Sequence, residues 1–132
     1  MRRLVTWFWH NLSHFITAMA RRQLWWAYGQ LEELRRACLN LARLRQNFSD
    51  PGVGEEGYYK VEQALPIEQL APLQATYCPL EQGAMLQAAL VIVRFYQELA
   101  RPLARTHDIP YPADLERVMC DRLEHVRKAC LR

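Results

Sequence analysis

Apolar residues recur along the first part of the chain with the period of an α-helix. Five of them fall on one face of the first segment, at Phe8, Leu12, Phe15, Ile16 and Met19. A second segment keeps this spacing from Leu24 to Ala42, and the turn-forming residues Ser49-Asp50-Pro51-Gly52 follow it. The pattern predicts two amphipathic helices that follow each other closely.

The segment from residue 53 to residue 79 interrupts this periodicity. Glycine weakens a helix and proline lacks the backbone N–H that a helix interior requires. Residues of these two types recur here, at Gly54, Gly57, Pro66, Pro72 and Pro79. Only two short helices are therefore predicted in this connector, at Tyr58–Leu65 and Ile67–Leu73.

A long helix from Leu80 to about Thr106 is predicted next. Its middle, Ala84–Val93, is apolar nearly all round, which is typical of a helix at the centre of a bundle. We expect it to be the most buried segment of the chain. Pro102 removes one backbone hydrogen bond, so a kink or break is expected near Glu98–Arg101.

A last helix is predicted after Pro112. Its apolar stripe consists of Leu115, Val118, Met119, Leu123 and Val126. The sequence shows no alternating strand pattern and no internal repeat. The predicted fold is all-α, a bundle of four main helices plus short connector helices.

Length and composition indicate one packed domain. The chain has 132 residues, of which 51% are hydrophobic, and we expect residues 1–132 to form a single helical domain. The four cysteines lie far apart and form no Cys-x-x-Cys pair, which favours small core residues in a reducing, cytoplasmic compartment. No segment approaches the length of a membrane span, so no membrane partner is expected.

The charges are distributed unevenly, although the net charge is only +3. Residues 1–46 hold eight arginines and two acidic residues, whereas residues 47–132 hold nine basic and twelve acidic residues. A net charge this small is not typical of nucleic-acid-binding domains. Nucleic acid is therefore not expected as a partner.

His10 and His14 lie four positions apart, a spacing at which two imidazoles on one helical face can meet a metal ion. No glutamate lies between them and no third ligand is evident, whereas a catalytic zinc site requires three protein ligands. Histidines that face solvent or an interface are favoured, and no metal site is predicted.

An arginine and a following histidine with four to six residues between them are the signature of HEPN-type ribonucleases, helical proteins in which both residues act on an RNA phosphate. Arg101 and His107 satisfy this spacing, and so do Arg3 and His10. Fifteen arginines and four histidines in 132 residues produce about 1.4 such matches by chance. Because Pro102 directly after Arg101 should bend the helix between the two residues, we expect Arg101 and His107 not to converge on one phosphate. Arg101 is expected to pair with an acid such as Glu98 or to face solvent.

Five short segments, taken in order, give the chain a recognisable resemblance. They are Phe8-Trp9, RRQLWWA at residues 21–27, LQATY at 73–77, FYQELA at 95–100 and IPYP at 109–112. In this order they resemble the C-terminal helical domain of aminoglycoside 6-adenylyltransferase (streptomycin adenylyltransferase) and of related antibiotic nucleotidyltransferases. The resemblance covers nearly the whole chain.

The resemblance implies a substrate-side role without catalysis. Proteins of this family carry a Gly-Ser loop for the nucleotide phosphates and an Asp-x-Asp pair for magnesium in an N-terminal domain, and these 132 residues contain neither motif. We therefore expect no catalytic residue and no cofactor in this chain, because ATP and magnesium would belong to a catalytic domain absent from it. The helical domain forms one wall of the cleft for a cationic, hydroxyl-rich antibiotic in such enzymes.

The resemblance also implies where a ligand would contact the chain. A cationic ligand favours aromatic faces and carboxylates. At matching positions these side chains are Trp25, Trp26, Tyr77, Glu98 and Tyr111. Besides the antibiotic, the implied partners are a second copy of the chain, forming a homodimer, or a nucleotidyltransferase domain or subunit.

Two other functions remain open. A HEPN-like RNA-cleaving or toxin subunit, paired with a separate minimal nucleotidyltransferase, would use Arg101 and His107 as its catalytic residues. A ligand-free homodimeric interaction module is compatible with any helical pattern.

Overall fold

Six helices make up the regular structure of the residues that the structure describes. The computed structural model describes residues 2–46 and 58–130. The helices are α1 (Arg2–Ala20), α2 (Leu24–Gln46), α3 (Val61–Ala64), α4 (Ile67–Gln74), α5 (Gln82–Thr106) and α6 (Ala113–Cys130). The described residues contain no strand, so the predicted all-α fold with four main helices is confirmed. The predicted turn at Ser49-Asp50-Pro51-Gly52 lies outside the described residues.

A tight turn joins α1 to α2. Arg22 adopts a left-handed backbone conformation with φ of 56°, and the N–H of Gln23 donates to the carbonyl of Ala18 at 2.9 Å. This bond satisfies a carbonyl that the end of α1 would otherwise leave unpaired. The chain reverses here, so α1 and α2 form an antiparallel helical hairpin.

Glu81 fixes the start of α5. It is the N-cap residue, and its carboxylate accepts hydrogen bonds from the N–H of Gly83 at 2.9 Å and of Ala84 at 3.1 Å. Capping of two free N–H groups sets the helix start at Gln82, two residues later than the apolar pattern predicts.

Pro102 does not interrupt α5, which continues to Thr106. Of the predicted kink or break, the break is therefore wrong, and the kink stays a prediction. Proline removes only one backbone hydrogen bond, while Leu99 and Leu103 on either side of it stay buried against the core. Packing of this apolar face holds the helical turn in place.

The four long helices surround a common core. Helix α1 packs against α2 and α6, and α5 packs against the same two helices. Two contacts show that α2 and α5 run in the same direction: the Tyr28 hydroxyl donates to the carbonyl of Cys78 at 2.8 Å, and the Cys38 thiol contacts the carbonyl of Ile92. The connector with α3 and α4 makes this parallel arrangement possible, because it returns the chain to the starting end of α2. No helix in the described part of the chain is both long enough and apolar enough to cross a membrane.

The most buried segment lies in α2 rather than in α5. Seven of the eight residues 37–44 are buried, whereas only six of the ten residues 84–93 are. Gln87 is exposed and Leu90 is only half-buried, so the prediction that Ala84–Val93 is the most buried segment is wrong. The end of α2 is covered by the connector as well as by its helical neighbours, since Arg43 donates a hydrogen bond to the carbonyl of Tyr59.

An aromatic cluster occupies the core between α1 and α5. Phe8 stacks flat on Tyr96, with ring centres 3.8 Å apart, and Trp9 meets both rings edge-on. All three side chains are fully buried. Trp25, which belongs to the same aromatic-rich part of the sequence, is 84% exposed. Phe8, Trp9 and Tyr96 therefore belong to the core, and Trp25 lies outside it.

Candidate functional site

A cleft of about 400 Å³ opens between α2 and the connector helices α3 and α4. We call it the α2–α4 cleft. Its apolar lining is interrupted by a few polar side chains, as in small-molecule sites. The lining residues are Arg35, Leu39, Tyr58, Val61, Glu62, Ile67, Leu70, Leu73, Gln74 and Tyr77.

Arg35 is the central polar group of this cleft, although only 1% of it is exposed. Its Nε donates to the Thr76 hydroxyl at 2.8 Å, and its Nη2 donates to the Thr76 carbonyl at 3.1 Å. Its Nη1 contacts a carboxylate oxygen of Glu32 at 2.6 Å. A buried guanidinium is stable only with such partners, so this network ties α2 to the end of α4.

Two tyrosines are held in place by the same network. The Tyr77 ring covers the guanidinium, with Arg35 Cζ 3.9 Å from the ring centre, which is a cation–π contact. The Tyr58 hydroxyl donates to the second carboxylate oxygen of Glu32 at 2.7 Å. Both aromatic side chains at the cleft are therefore positioned by the Arg35–Glu32 pair.

Tyr58 and Arg35 both keep their protons at neutral pH. Burial, and after it the hydrogen bond to Glu32, raises the pKa of Tyr58, so its hydroxyl stays a donor. Burial disfavours the charged form of Arg35, but the Glu32 carboxylate outweighs this effect and raises the pKa of Arg35. The network thus consists of the Arg35–Glu32 salt bridge and the neutral Tyr58 hydroxyl that donates to Glu32.

Glu62 is the acidic residue among those that line the α2–α4 cleft, and Arg36 lies outside the lining, with its Cζ 5.4 Å from the centre of the Tyr58 ring. Glu32 offsets the charge of Arg35, and the exposed carboxylate of Glu62 at the cleft wall has no second cation among the lining residues. Carboxylates and aromatic faces together attract cationic ligands.

A second cleft, of about 580 Å³, lies between α5 and α6, and we call it the α5–α6 cleft. Its buried group is Glu116, which accepts hydrogen bonds from Arg101 and Gln97. Tyr111 lies beside this pair, with its hydroxyl buried next to Glu116 and Arg101. Burial, and then the neighbouring Glu116 carboxylate, raise the pKa of Tyr111.

The α5–α6 cleft is poorly suited to a cation. The arginines that line it, Arg101, Arg105 and Arg117, outnumber the acidic residues Glu116 and Asp121. The single buried carboxylate is already neutralised by Arg101. Asp114, outside the lining, lies 3.6 Å from Arg117 and offsets part of this charge, so a cationic ligand would meet a small excess of positive charge here.

Across residues 2–46 and 58–130, no group of three His, Cys, Asp or Glu residues is placed to hold an ion.

Comparison with known protein families agrees with the order of the sequence segments. The model of a family described as streptomycin adenylyltransferase matches residues 2–126. The chain belongs to the streptomycin adenylyltransferase family. No curated protein and no solved structure gives a significant match. The predicted relationship to antibiotic nucleotidyltransferases is thus confirmed at the level of the family.

The five residues at positions that match this family do not lie at one place. Trp25 and Tyr77 lie toward the start of the parallel helices α2 and α5, and Trp26 lies next to α1, with its ring centre 6.0 Å from that of His14. Glu98 and Tyr111 lie toward the opposite end. Sixteen residues of α5 separate Gln82 from Glu98, a rise of about 24 Å. The five residues thus form two groups: Trp25, Trp26 and Tyr77 in one, and Glu98 and Tyr111 in the other.

The residues of the alternative ribonuclease interpretation lie near the end of α5. Arg101 pairs with Glu116 of α6 and not with Glu98 of its own helix. His107 is the C-cap residue of α5. The guanidinium that would neutralise an RNA phosphate is therefore already bound to a buried carboxylate.

Sequence reasoning missed the network around Arg35. Glu32, Tyr58 and Thr76 were not identified as site residues, because each meets Arg35 or its partner only in the folded chain. One signal was present in α2. Arg35 lies between Leu34 and Cys38 on an otherwise apolar face, where a charged residue needs a buried partner.

Proposed function

We propose that this chain forms one wall of the substrate cleft in an antibiotic nucleotidyltransferase and carries no transfer chemistry itself. The substrate is a cationic, hydroxyl-rich antibiotic of the aminoglycoside type. It contacts the α2–α4 cleft, where Tyr77 and Tyr58 supply aromatic faces and Glu62 supplies a free carboxylate.

The observation that carries this proposal is the position of Tyr77. It belongs to a segment that matches the family, and its ring covers Arg35 at the mouth of a cleft of suitable size. The second matching group, Glu98 and Tyr111, lies among arginines. A cationic substrate is therefore expected to prefer the α2–α4 cleft.

The partner and the cofactors follow from the motifs that these residues lack. The 132 residues contain no Gly-Ser dipeptide and no Asp-x-Asp pair, the groups that would hold nucleotide phosphates and magnesium. ATP and Mg²⁺ are expected to bind a nucleotidyltransferase domain or subunit that meets this chain across the substrate. A homodimer is the alternative assembly.

Streptomycin is the probe for the binding test. Isothermal titration calorimetry is expected to detect its binding to the chain, and Tyr77→Ala is expected to weaken it by about 1–2 kcal/mol, roughly 5- to 30-fold in Kd. The matched control is Tyr59→Ala, because Tyr59 is similarly exposed but does not line the cleft. Equal binding by both variants would place the ligand elsewhere.

A transfer assay tests the non-catalytic part of the proposal. With streptomycin, ATP and Mg²⁺, the homogeneous chain is expected to transfer no AMP to the antibiotic. Adenylylation that stops when magnesium is removed would contradict this expectation, because it would require a phosphate site and a metal site within these residues.

A further inference from the structure

His10 and His14 form a close pair on the outside of α1. They lie one helical turn apart, and their Nε2 atoms are 3.2 Å apart. The two rings are perpendicular, with centres separated by 4.6 Å. Without a metal, this contact is a hydrogen bond in which one ring donates its Nε2–H to the lone pair of the other.

The same geometry matches the separation of two ligands on one metal ion. Imidazole nitrogens bind Zn²⁺ at about 2.0–2.1 Å, so two of them in a tetrahedral arrangement are about 3.3 Å apart. We propose that His10 and His14 together bind a divalent transition-metal ion of the class that favours imidazole, such as Zn²⁺ or Ni²⁺.

Little rearrangement is needed for both rings to bind the ion. The donor ring moves its proton from Nε2 to Nδ1, which leaves both Nε2 lone pairs free for the metal and both rings neutral. Because the pair already lies on a regular helix, the entropy cost of bringing the two ligands together is small.

The histidine pair borders α2. The ring centre of Trp26 lies 6.0 Å from that of His14, so the site lies next to both helices of the hairpin.

The site is open and therefore differs from a structural zinc site. No third His, Cys, Asp or Glu joins the pair among the described residues, so water or a ligand from another molecule fills the remaining positions. Such a site exchanges its metal readily. It is independent of the α2–α4 cleft and of the proposed antibiotic-binding role.

Nickel provides the test, because paramagnetic Ni²⁺ broadens nearby NMR signals. Titrating NiCl₂ into the untagged full chain is expected to broaden backbone amide signals first around His10, His14 and Trp26. His10→Ala and His14→Ala are each expected to remove this broadening. The matched control is His125→Ala, because His125 is an exposed histidine on α6, and it should leave the effect unchanged.

Three outcomes would overturn the proposal. They are broadening centred on the cysteines or on His125, broadening that survives in either single variant, and no broadening at all. The map of the wild-type protein locates the ion without any substitution, so the test does not depend on the stability of the variants. Streptomycin binding plays no part in it, and the two proposals can therefore fail separately.

Discussion

Replacing Phe8 with alanine is expected to lower the free energy of unfolding by about 3–5 kcal/mol. Phe8 is fully buried and stacks on Tyr96 while Trp9 meets its edge. The substitution removes the apolar contact and leaves a cavity that rigid neighbouring rings cannot fill. Small domains have total stabilities of about 5–15 kcal/mol, so the loss is a large share of the whole.

Urea unfolding followed by circular dichroism measures this change. Trp7→Ala is the matched control, since Trp7 is the preceding aromatic residue and is half exposed; its cost should stay within about 1 kcal/mol. Phe8→Leu should fall between the two, because leucine fills part of the volume. A loss below 1 kcal/mol for Phe8→Ala would contradict the assignment of the Phe8–Tyr96 stack to the core.

Arg35→Ala is expected to cost about 2–3 kcal/mol of stability. The substitution leaves the buried Thr76 groups without donors and the Glu32 carboxylate without its counter-charge. Fully buried ion pairs cost about 3–5 kcal/mol when one partner is removed. Glu32 is one-third exposed and can recover some hydration, so the expected loss is smaller.

The neighbouring arginine provides the control for Arg35. Arg36 is half exposed, and its nearest carboxylate oxygen, on Glu33, is 3.9 Å away. Arg36→Ala should therefore cost less than about 0.5 kcal/mol. Arg35→Met also removes the guanidinium and leaves the Glu32 carboxylate unpaired. Adding Glu32→Gln to this variant should recover part of the lost stability, because it removes the unpaired charge. Equal effects of Arg35→Ala and Arg36→Ala would show that the buried network contributes nothing.

Arg35→Ala is also expected to weaken streptomycin binding more than its effect on stability alone explains. The guanidinium supports the Tyr77 ring, and Tyr58 loses the ordered Glu32 carboxylate that accepts its hydrogen bond. Comparison of Kd at temperatures where both proteins are folded separates this positioning effect from unfolding. Arg35 is a positioning residue in this interpretation.

The sequence by itself determined the helices and their order. The apolar periodicity of residues 8–19 and 24–42 places α1 and α2, and the proline and glycine positions limit the connector to the short helices α3 and α4. These features are local, because helix faces, caps and helix breakers act within a few residues. The order of five short segments also identified the family.

The tertiary structure alone decided which residues share a site. Thr76 is 41 positions from Arg35, and Tyr58 is 26 positions from Glu32, distances over which periodicity carries no information. Packing likewise carries α5 through Pro102 and makes the end of α2, rather than the middle of α5, the most buried segment. The tertiary structure also separates Trp25 and Tyr77 from Glu98 and Tyr111, because the two groups lie toward opposite ends of the long helix α5. Side chains at matching sequence positions meet only where the long helices bring them together, and that depends on the packing of the whole bundle.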